Sequence, residues 1–92
     1  MYSGPEFEVK IRFHNTITSQ VFDQFGKNTI LPIPDGDSHF TIRTPIQVSP
    51  PFYAWIATFG HKAKIIEPLE VVEGMKDFLQ RSLDMYKDDG EM

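Results

Sequence analysis

The sequence contains no cysteine, and this absence excludes disulfide bonds and thiolate metal ligands. It also has no hydrophobic run long enough to span a membrane, and its first residues lack the basic and apolar regions of a signal peptide. From these absences we predict a cytoplasmic protein that does not associate with membranes.

The residues that are present can form one hydrophobic core. Of the 92 residues, 40% are hydrophobic, and they include eight Phe, three Tyr and one Trp. A chain of this length builds one domain, and its apolar share is too high for a disordered protein. We therefore predict a folded domain over residues 6–87, with a disordered leader at 1–5 and an acidic disordered tail at 88–92.

The net charge of −4 is unevenly distributed along the chain. Residues 1–66 carry six Lys or Arg against five Asp or Glu, whereas residues 67–92 carry three against eight. Nucleic-acid binding over the whole surface would need clustered Lys and Arg, so this balance argues against it. A local basic patch remains compatible with the sequence.

The first half of the chain predicts a strand, a helix and a hairpin. Residues 6–14 alternate without a break between apolar and polar side chains, which is typical of a half-buried strand. Asn15 and Thr16 can cap a following helix that ends at Gly26. Two segments, from Asn28 to Pro34 and from Phe40 to Val48, flank a turn and predict a hairpin. Its prolines place the first arm at a sheet edge.

The second half predicts a helix, a strand and a long final helix. Ser49 and two prolines start a helix whose apolar stripe ends at Gly60, and residues 62–67 form a short strand. Pro68 then starts a helix that runs to about Tyr86. The resulting fold class is α+β, a ferredoxin-like β-α-β-β-α-β sandwich with an additional C-terminal helix.

Three fragments of the second half resemble a known family. Residues 52–60 read FYAWIATFG, residues 63–68 read AKIIEP, and the final helix ends in Tyr86. In this order and spacing they resemble the C-terminal extension, or WCX domain, of bacterial WYL-domain transcriptional regulators, over residues 6–87. The resemblance implies a ferredoxin-like fold and a non-catalytic regulatory and oligomerisation domain that helps couple effector sensing to DNA binding.

The same resemblance implies partners in a longer parent chain, namely an upstream WYL domain and an N-terminal helix-turn-helix domain. The sequence has no Trp-Tyr-Leu tripeptide and no winged-helix segment before Glu6. We therefore expect an excised module, and no DNA-reading or WYL-pocket residue is transferred to it. The matching residues Trp55, Ile56 and Phe59 share one helical face and are predicted to be core.

No catalytic or metal-binding constellation is found in the sequence. A hydrolase would need a nucleophile beside a base or two converging carboxylates, and neither pattern occurs. His14, His39 and His61 occur singly, without metal-ligand spacing. The segment 35–38 lacks the distal Glu of a calcium loop and is interpreted as a turn. We predict no enzymatic activity, no cofactor and no metal.

The sheet face opposite the core is predicted to be basic. The alternation that buries the apolar residues of the first strand directs Lys10, Arg12 and His14 outward, and it does the same for His39, Thr41 and Arg43. With Lys64 from the last strand, this face gives a candidate ligand or anion site that consists of Lys10, Arg12, Arg43 and Lys64. One interpretation is a solvated face. The alternative is a nucleic-acid or small-anion binding module.

The last helix has apolar residues over about half its circumference, more than the stripe of roughly 100° that a surface helix usually shows. One stripe, expected to face the core, comprises Leu69, Val72, Met75, Leu79, Leu83 and Tyr86. A second stripe, the candidate partner interface, comprises Val71, Phe78 and Met85. The partner would be a second copy, giving a homodimer, or the WYL domain. The alternative is a helix wedged between the sheet edge and another helix.

Overall fold

The computed structural model describes residues 5–26 and 30–87. The predicted tail at 88–92 and the first four residues of the predicted leader lie outside the described residues. Pro5, which was assigned to that leader, is hydrogen-bonded to the domain. Its carbonyl oxygen accepts a hydrogen bond of 3.0 Å from the N–H of Val48. No helix in the described part of the chain is long and apolar enough to cross a membrane.

Over the described residues the fold is α+β, with three helices and one antiparallel sheet of four strands. The strands are β1 (Glu6–His14), β2 (Ile33–Asp35), β3 (His39–Gln47) and β4 (Ala63–Glu67). Their order across the sheet is β2-β3-β1-β4, with every neighbouring pair antiparallel. The first and third strands are therefore central, and β2 and β4 are edges.

The helices follow the predicted order. They are α1 (Thr18–Phe25), α2 (Pro50–Ala57) and α3 (Leu69–Lys87), and short 3₁₀ turns at Asn15–Ile17 and Gly60–Lys62 precede α1 and β4. The prediction for β1 is confirmed to the residue. The first hairpin arm is shorter than predicted, since it forms a strand only from Ile33, and Asn28 lies outside the described residues. Its position at a sheet edge is confirmed.

The helix starts differ from those predicted. The prediction that Asn15 and Thr16 cap the first helical segment is wrong, because the ring Nδ1 of His14 accepts the N–H of Thr16 at 3.1 Å. Ser49 occupies the N-cap position of α2, but its hydroxyl accepts no hydrogen bond from the helix N–H groups. The stop at Gly26 is confirmed, and its φ of 85° is one that L side chains rarely adopt.

The core lies between one sheet face and the helices. Ile11 of β1 is paired with Ile42 of β3 and Ile65 of β4, so the middle of the core is a row of three branched side chains. Each contributes on the order of 2 kcal/mol by leaving water. The fully buried large side chains are Phe13, Ile11, Ile42, Ile56, Val9, Val21 and Val71.

An aromatic cluster joins the sheet to α1 and α2. The ring of Trp55 lies 6.0 Å from that of Phe13, 5.5 Å from that of Phe25 and 5.0 Å from that of Phe59, all edge to face. Trp55 and Phe59 are partly buried, and Ile56 between them is 2% exposed. The predicted packing role of this stripe is therefore confirmed.

The predicted orientation of α3 is wrong. Val71, assigned to the outer stripe, is 1% exposed and belongs to the core, because α3 covers β4 with that side of the helix. Of the stripe expected to face inward, only Val72 and Met75 pack against the core. Its other members are exposed, namely Leu69, Leu79, Leu83 and Tyr86. Residues 81–87 are all exposed, so the last two turns extend past the core.

Candidate functional site

The outer sheet face brings the four predicted cations together. In the strand register, Lys10 of β1 lies opposite Arg43 of β3, and Arg12 of β1 lies opposite Lys64 of β4. These pairs occupy adjacent rows on the face that points away from the core, since residues two apart in a strand share a face. The predicted parity of β1 and β3 is confirmed.

Two of the four cations form ion pairs. Nε of Arg12 lies 3.1 Å from Oδ2 of Asp35 in β2, and Nη1 of Arg43 donates to Oε1 of Glu67 in β4 at 3.2 Å. Each pair reaches across an intervening strand. Strand β3 lies between Arg12 and Asp35, and strand β1 lies between Arg43 and Glu67. All four side chains are 40–53% exposed, so each pair contributes about 1 kcal/mol or less.

The remaining two cations are free within the described chain. Lys10 and Lys64 make no ion pair with any carboxylate of residues 5–26 and 30–87. In addition, Nε of Arg12 is buried and has no hydrogen-bond partner there. Its contact with Asp35 is therefore electrostatic, close in distance but without an aligned N–H. The face keeps uncompensated positive charge in its central rows.

The end of the same face holds a row that the sequence did not predict. His14 lies opposite His39, which lies opposite Asp35, and the two imidazole rings are 5.1 Å apart and nearly perpendicular. The outward parity of both histidines was the available signal, but only the hairpin register shows that they are opposite each other. Within the described residues, no group of three or more His, Asp or Glu side chains is arranged to hold a metal ion.

The environment of this row lowers the pKa of His39. Partial burial is the main cause, and the positive charge of Arg12 and the ring of His14 add to it, whereas Asp35 opposes it. His14 is held in place by the 3₁₀ turn, because its Nδ1 accepts from the N–H of Thr16 and lies 2.9 Å from the hydroxyl of that residue.

A second feature is an apolar groove along the free edge of β4, with an open volume of about 370 Å³. One wall is formed by the small residues Ala57, Gly60 and Ala63, and the other by α3 through residues such as Val72 and Leu79. Small side chains on one wall allow the backbone of another segment to approach closely. The groove therefore suits a protein segment.

The three residues predicted as a partner interface do not share one surface. Val71 is in the core, Phe78 is half-buried with its ring 5.8 Å from that of Tyr53, and Met85 is 73% exposed. Besides Met85, the exposed apolar residues of α3 include Leu79, Leu83 and Tyr86, which lie on another side of the helix. The sequence shows that α3 has a wide apolar arc, but it does not indicate which part of the arc the sheet covers.

Comparison with known protein families assigns most of the chain to one family. The WCX domain family matches residues 5–83, which include all four strands, α1, α2 and most of α3. No curated protein and no solved structure matches the chain.

Proposed function

Because the chain belongs to the WCX domain family, we propose that it is a non-catalytic regulatory and assembly domain of a WYL-type transcriptional regulator. In this role it would hold parent chains together and help relay effector sensing to their helix-turn-helix domains. The family match over residues 5–83 is the observation that carries the proposal. The ferredoxin-like topology is part of the proposal, and the central position of β1 and β3 supports it.

The physical basis of such a role is geometric. Helix-turn-helix proteins bind as dimers to DNA half-sites about one helical turn apart. The distance between the two DNA-binding domains therefore determines the affinity for the operator. A domain that fixes two chains relative to one another sets this distance. The exposed apolar residues of α3 and the groove beside β4 supply surface for such a contact.

A fusion experiment tests the assembly role. The chain is joined to a helix-turn-helix domain that lacks its own dimerisation region, and operator binding is measured by fluorescence anisotropy. We expect at least about a tenfold gain in affinity over the unfused reader, because linkage makes the second binding event intramolecular. The control is the same fusion carrying Ile11→Asp, which places a charge in the core and unfolds the domain. Equal affinities for all three proteins would refute the assembly role.

The non-catalytic part of the proposal has its own test. We expect no turnover of phosphate or acyl esters, since no nucleophile with an adjacent base is found in the sequence. The titratable cluster most able to support such chemistry is the row of His14, His39 and Asp35. Turnover that disappears in His14→Ala or His39→Ala would show that the domain is an enzyme.

A second candidate function is anion or nucleic-acid binding by the outer sheet face. The observation in its favour is the adjacency of Lys10, Arg12, Arg43 and Lys64, of which the two lysines are unpaired within the described residues. Phosphate contacts release counterions, so binding of a single-stranded oligonucleotide would weaken steeply between about 50 and about 200 mM salt. Apolar self-association would not.

Two double lysine variants distinguish binding by this face from general electrostatic attraction. The double substitution Lys10→Ala and Lys64→Ala removes both unpaired cations of the face, whereas Lys62→Ala with Lys76→Ala removes the same charge elsewhere. We expect only the first pair to abolish oligonucleotide binding and reduce its salt dependence. Equal losses in both double variants would show that net charge, and not this face, governs the interaction.

A further inference from the structure

One side of α3, which packs against the core at Val72 and is exposed at Leu79, Leu83 and Tyr86, has a heptad pattern. With Leu69 at position a, the a and d positions over residues 69–86 have spacings of three and four. They are Leu69, Val72, Lys76, Leu79, Leu83 and Tyr86. We call this row of a and d positions the seam. Leu83 is 52% exposed and Tyr86 is 76% exposed, so no other part of the described chain covers the C-terminal half of the seam. Apolar seams of this spacing pack against other helices.

The groove along β4 adjoins the N-terminal half of the same seam. Val72 and Leu79 line it from α3, and Lys76 lies between them. The C-terminal turns carry exposed apolar residues, and the N-terminal turns border an apolar groove. A helix identical to α3 could therefore fill the groove with its own last turns if it ran in the opposite direction.

We propose that α3 of a second copy lies antiparallel to α3 in this groove, about a twofold axis near Gln80. The inference rests on the proposed assembly function and specifies its surface. Leu83 and Tyr86 of each copy would cover the partner's groove beside Lys76 and Val72. The contact is isologous, because the same surface is used by both copies and the assembly closes as a dimer.

The charged residues in and beside the seam favour the antiparallel direction. About an axis at Gln80, Glu73 is level with the partner's Lys87, and Lys76 is level with the partner's Asp84. In each chain Lys76 pairs with Glu73 and Lys87 with Asp84, at 3.3 and 3.5 Å. Antiparallel packing joins these pairs into two clusters without net charge. Parallel packing would place Lys76 opposite its own copy in the seam and leave Leu83 and Tyr86 away from the groove.

Sedimentation of wild type and two matched variants tests the surface. We expect wild type to change from monomer to dimer across about a hundredfold range of concentration. Leu83→Glu places a carboxylate in the seam and should raise the dimer dissociation constant at least about tenfold. Met85→Glu, on the opposite side of the same helix and 73% exposed, should leave dimerisation unchanged. Both positions are exposed, so circular dichroism should show a native fold in each.

Crosslinking tests the relative direction of the two helices. Because the chain has no native cysteine, each introduced cysteine is the only thiol that can react. With a short thiol-reactive crosslinker, we expect Gln80→Cys to link to its own copy, and Glu73→Cys to link to Lys87→Cys only in a mixture. Glu73→Cys linking to itself would show parallel packing and overturn the proposal.

The outcomes distinguish the inference from the proposed function. A dimer that Leu83→Glu leaves intact would overturn the surface while the assembly role stands. A wild-type chain that stays monomeric would overturn the inference. If the fused reader also gained no affinity, the assembly role would fail with it.

Discussion

The phenol hydroxyl of Tyr53 occupies the space that a Cβ atom at position 74 would need, so α2 and α3 meet at a residue without a side chain. A methyl group on Gly74 would also lie 2.9 Å from Cζ of Tyr53. The ring cannot move away freely, because it packs against Phe52 and Phe78 at 5.7 and 5.8 Å. Glycine in this helix therefore serves close packing between two helices.

Gly74→Ala should destabilise the domain although alanine is the better helix former. The gain in helix propensity is about 1 kcal/mol, and overpacking against Tyr53 costs about 1–3 kcal/mol, so we expect a net loss of up to about 2 kcal/mol. Urea unfolding followed by circular dichroism measures it. In a Tyr53→Ala background, the same substitution should become neutral or stabilising. A stabilising effect in the wild-type background would show that the ring moves aside.

Trp55→Ala should lower the free energy of unfolding by about 3 kcal/mol, because the indole packs edge to face with three aromatic rings at the core. A domain of this size has only about 5–15 kcal/mol in total. Leu31→Ala is the control, since Leu31 is 76% exposed and should change stability by less than about 0.5 kcal/mol. Equal effects of the two substitutions would mean that Trp55 is a surface residue.

The strands could be predicted from the sequence because their period of two is unambiguous. Phe7 to Phe13 alternate with charged residues, so the inner and outer faces of β1 follow directly, and the adjacency of Lys10 and Arg43 follows once β1 and β3 are neighbours. The pairings that reach across a strand, such as Arg12 with Asp35, could not be predicted. They depend on strand register and side-chain reach, which local patterns do not contain.

The orientation of α3 could not be predicted because its apolar arc is too wide. Val71 and Leu79 both lie within that arc, and helical periodicity alone predicts burial equally well for either residue. The difference arises in the tertiary structure, where α3 packs along β4 and buries Val71, leaving Leu79 47% exposed. A sequence pattern shows which residues can be buried, whereas the neighbouring elements decide which ones are.

Replacing both arginines of the outer face should scarcely change stability. Arg12→Gln with Arg43→Gln removes two exposed ion pairs, and we expect a loss of about 1 kcal/mol or less for each. Urea unfolding at low and high salt measures it. Ile11→Ala, one residue from Arg12 but on the buried face, should instead cost about 2–5 kcal/mol. Unfolding of the arginine variant would place these side chains inside the domain, contrary to the observed face.

The pKa of His39 should lie below 6.5, because partial burial, Arg12 and His14 all disfavour its charged form. Titration of the imidazole resonances by NMR measures it, with His39→Gln identifying the signal. Arg12→Gln and His14→Gln should each raise this pKa, and Asp35→Asn should lower it further because Asp35 opposes the shift. A value of 6.5 or above in the wild type would contradict this account.

The sign of the resulting pH dependence follows from linkage. Since the folded pKa of His39 is lowered, the unfolded chain binds this proton first, and acid favours unfolding. The stability linked to His39 is therefore complete above pH 6.5 and is lost as the pH falls from 6.5 toward the folded pKa. Urea midpoints compared above and below pH 6.5 should decrease more in wild type than in His39→Gln. Equal decreases in the two proteins would assign the acid sensitivity to other groups.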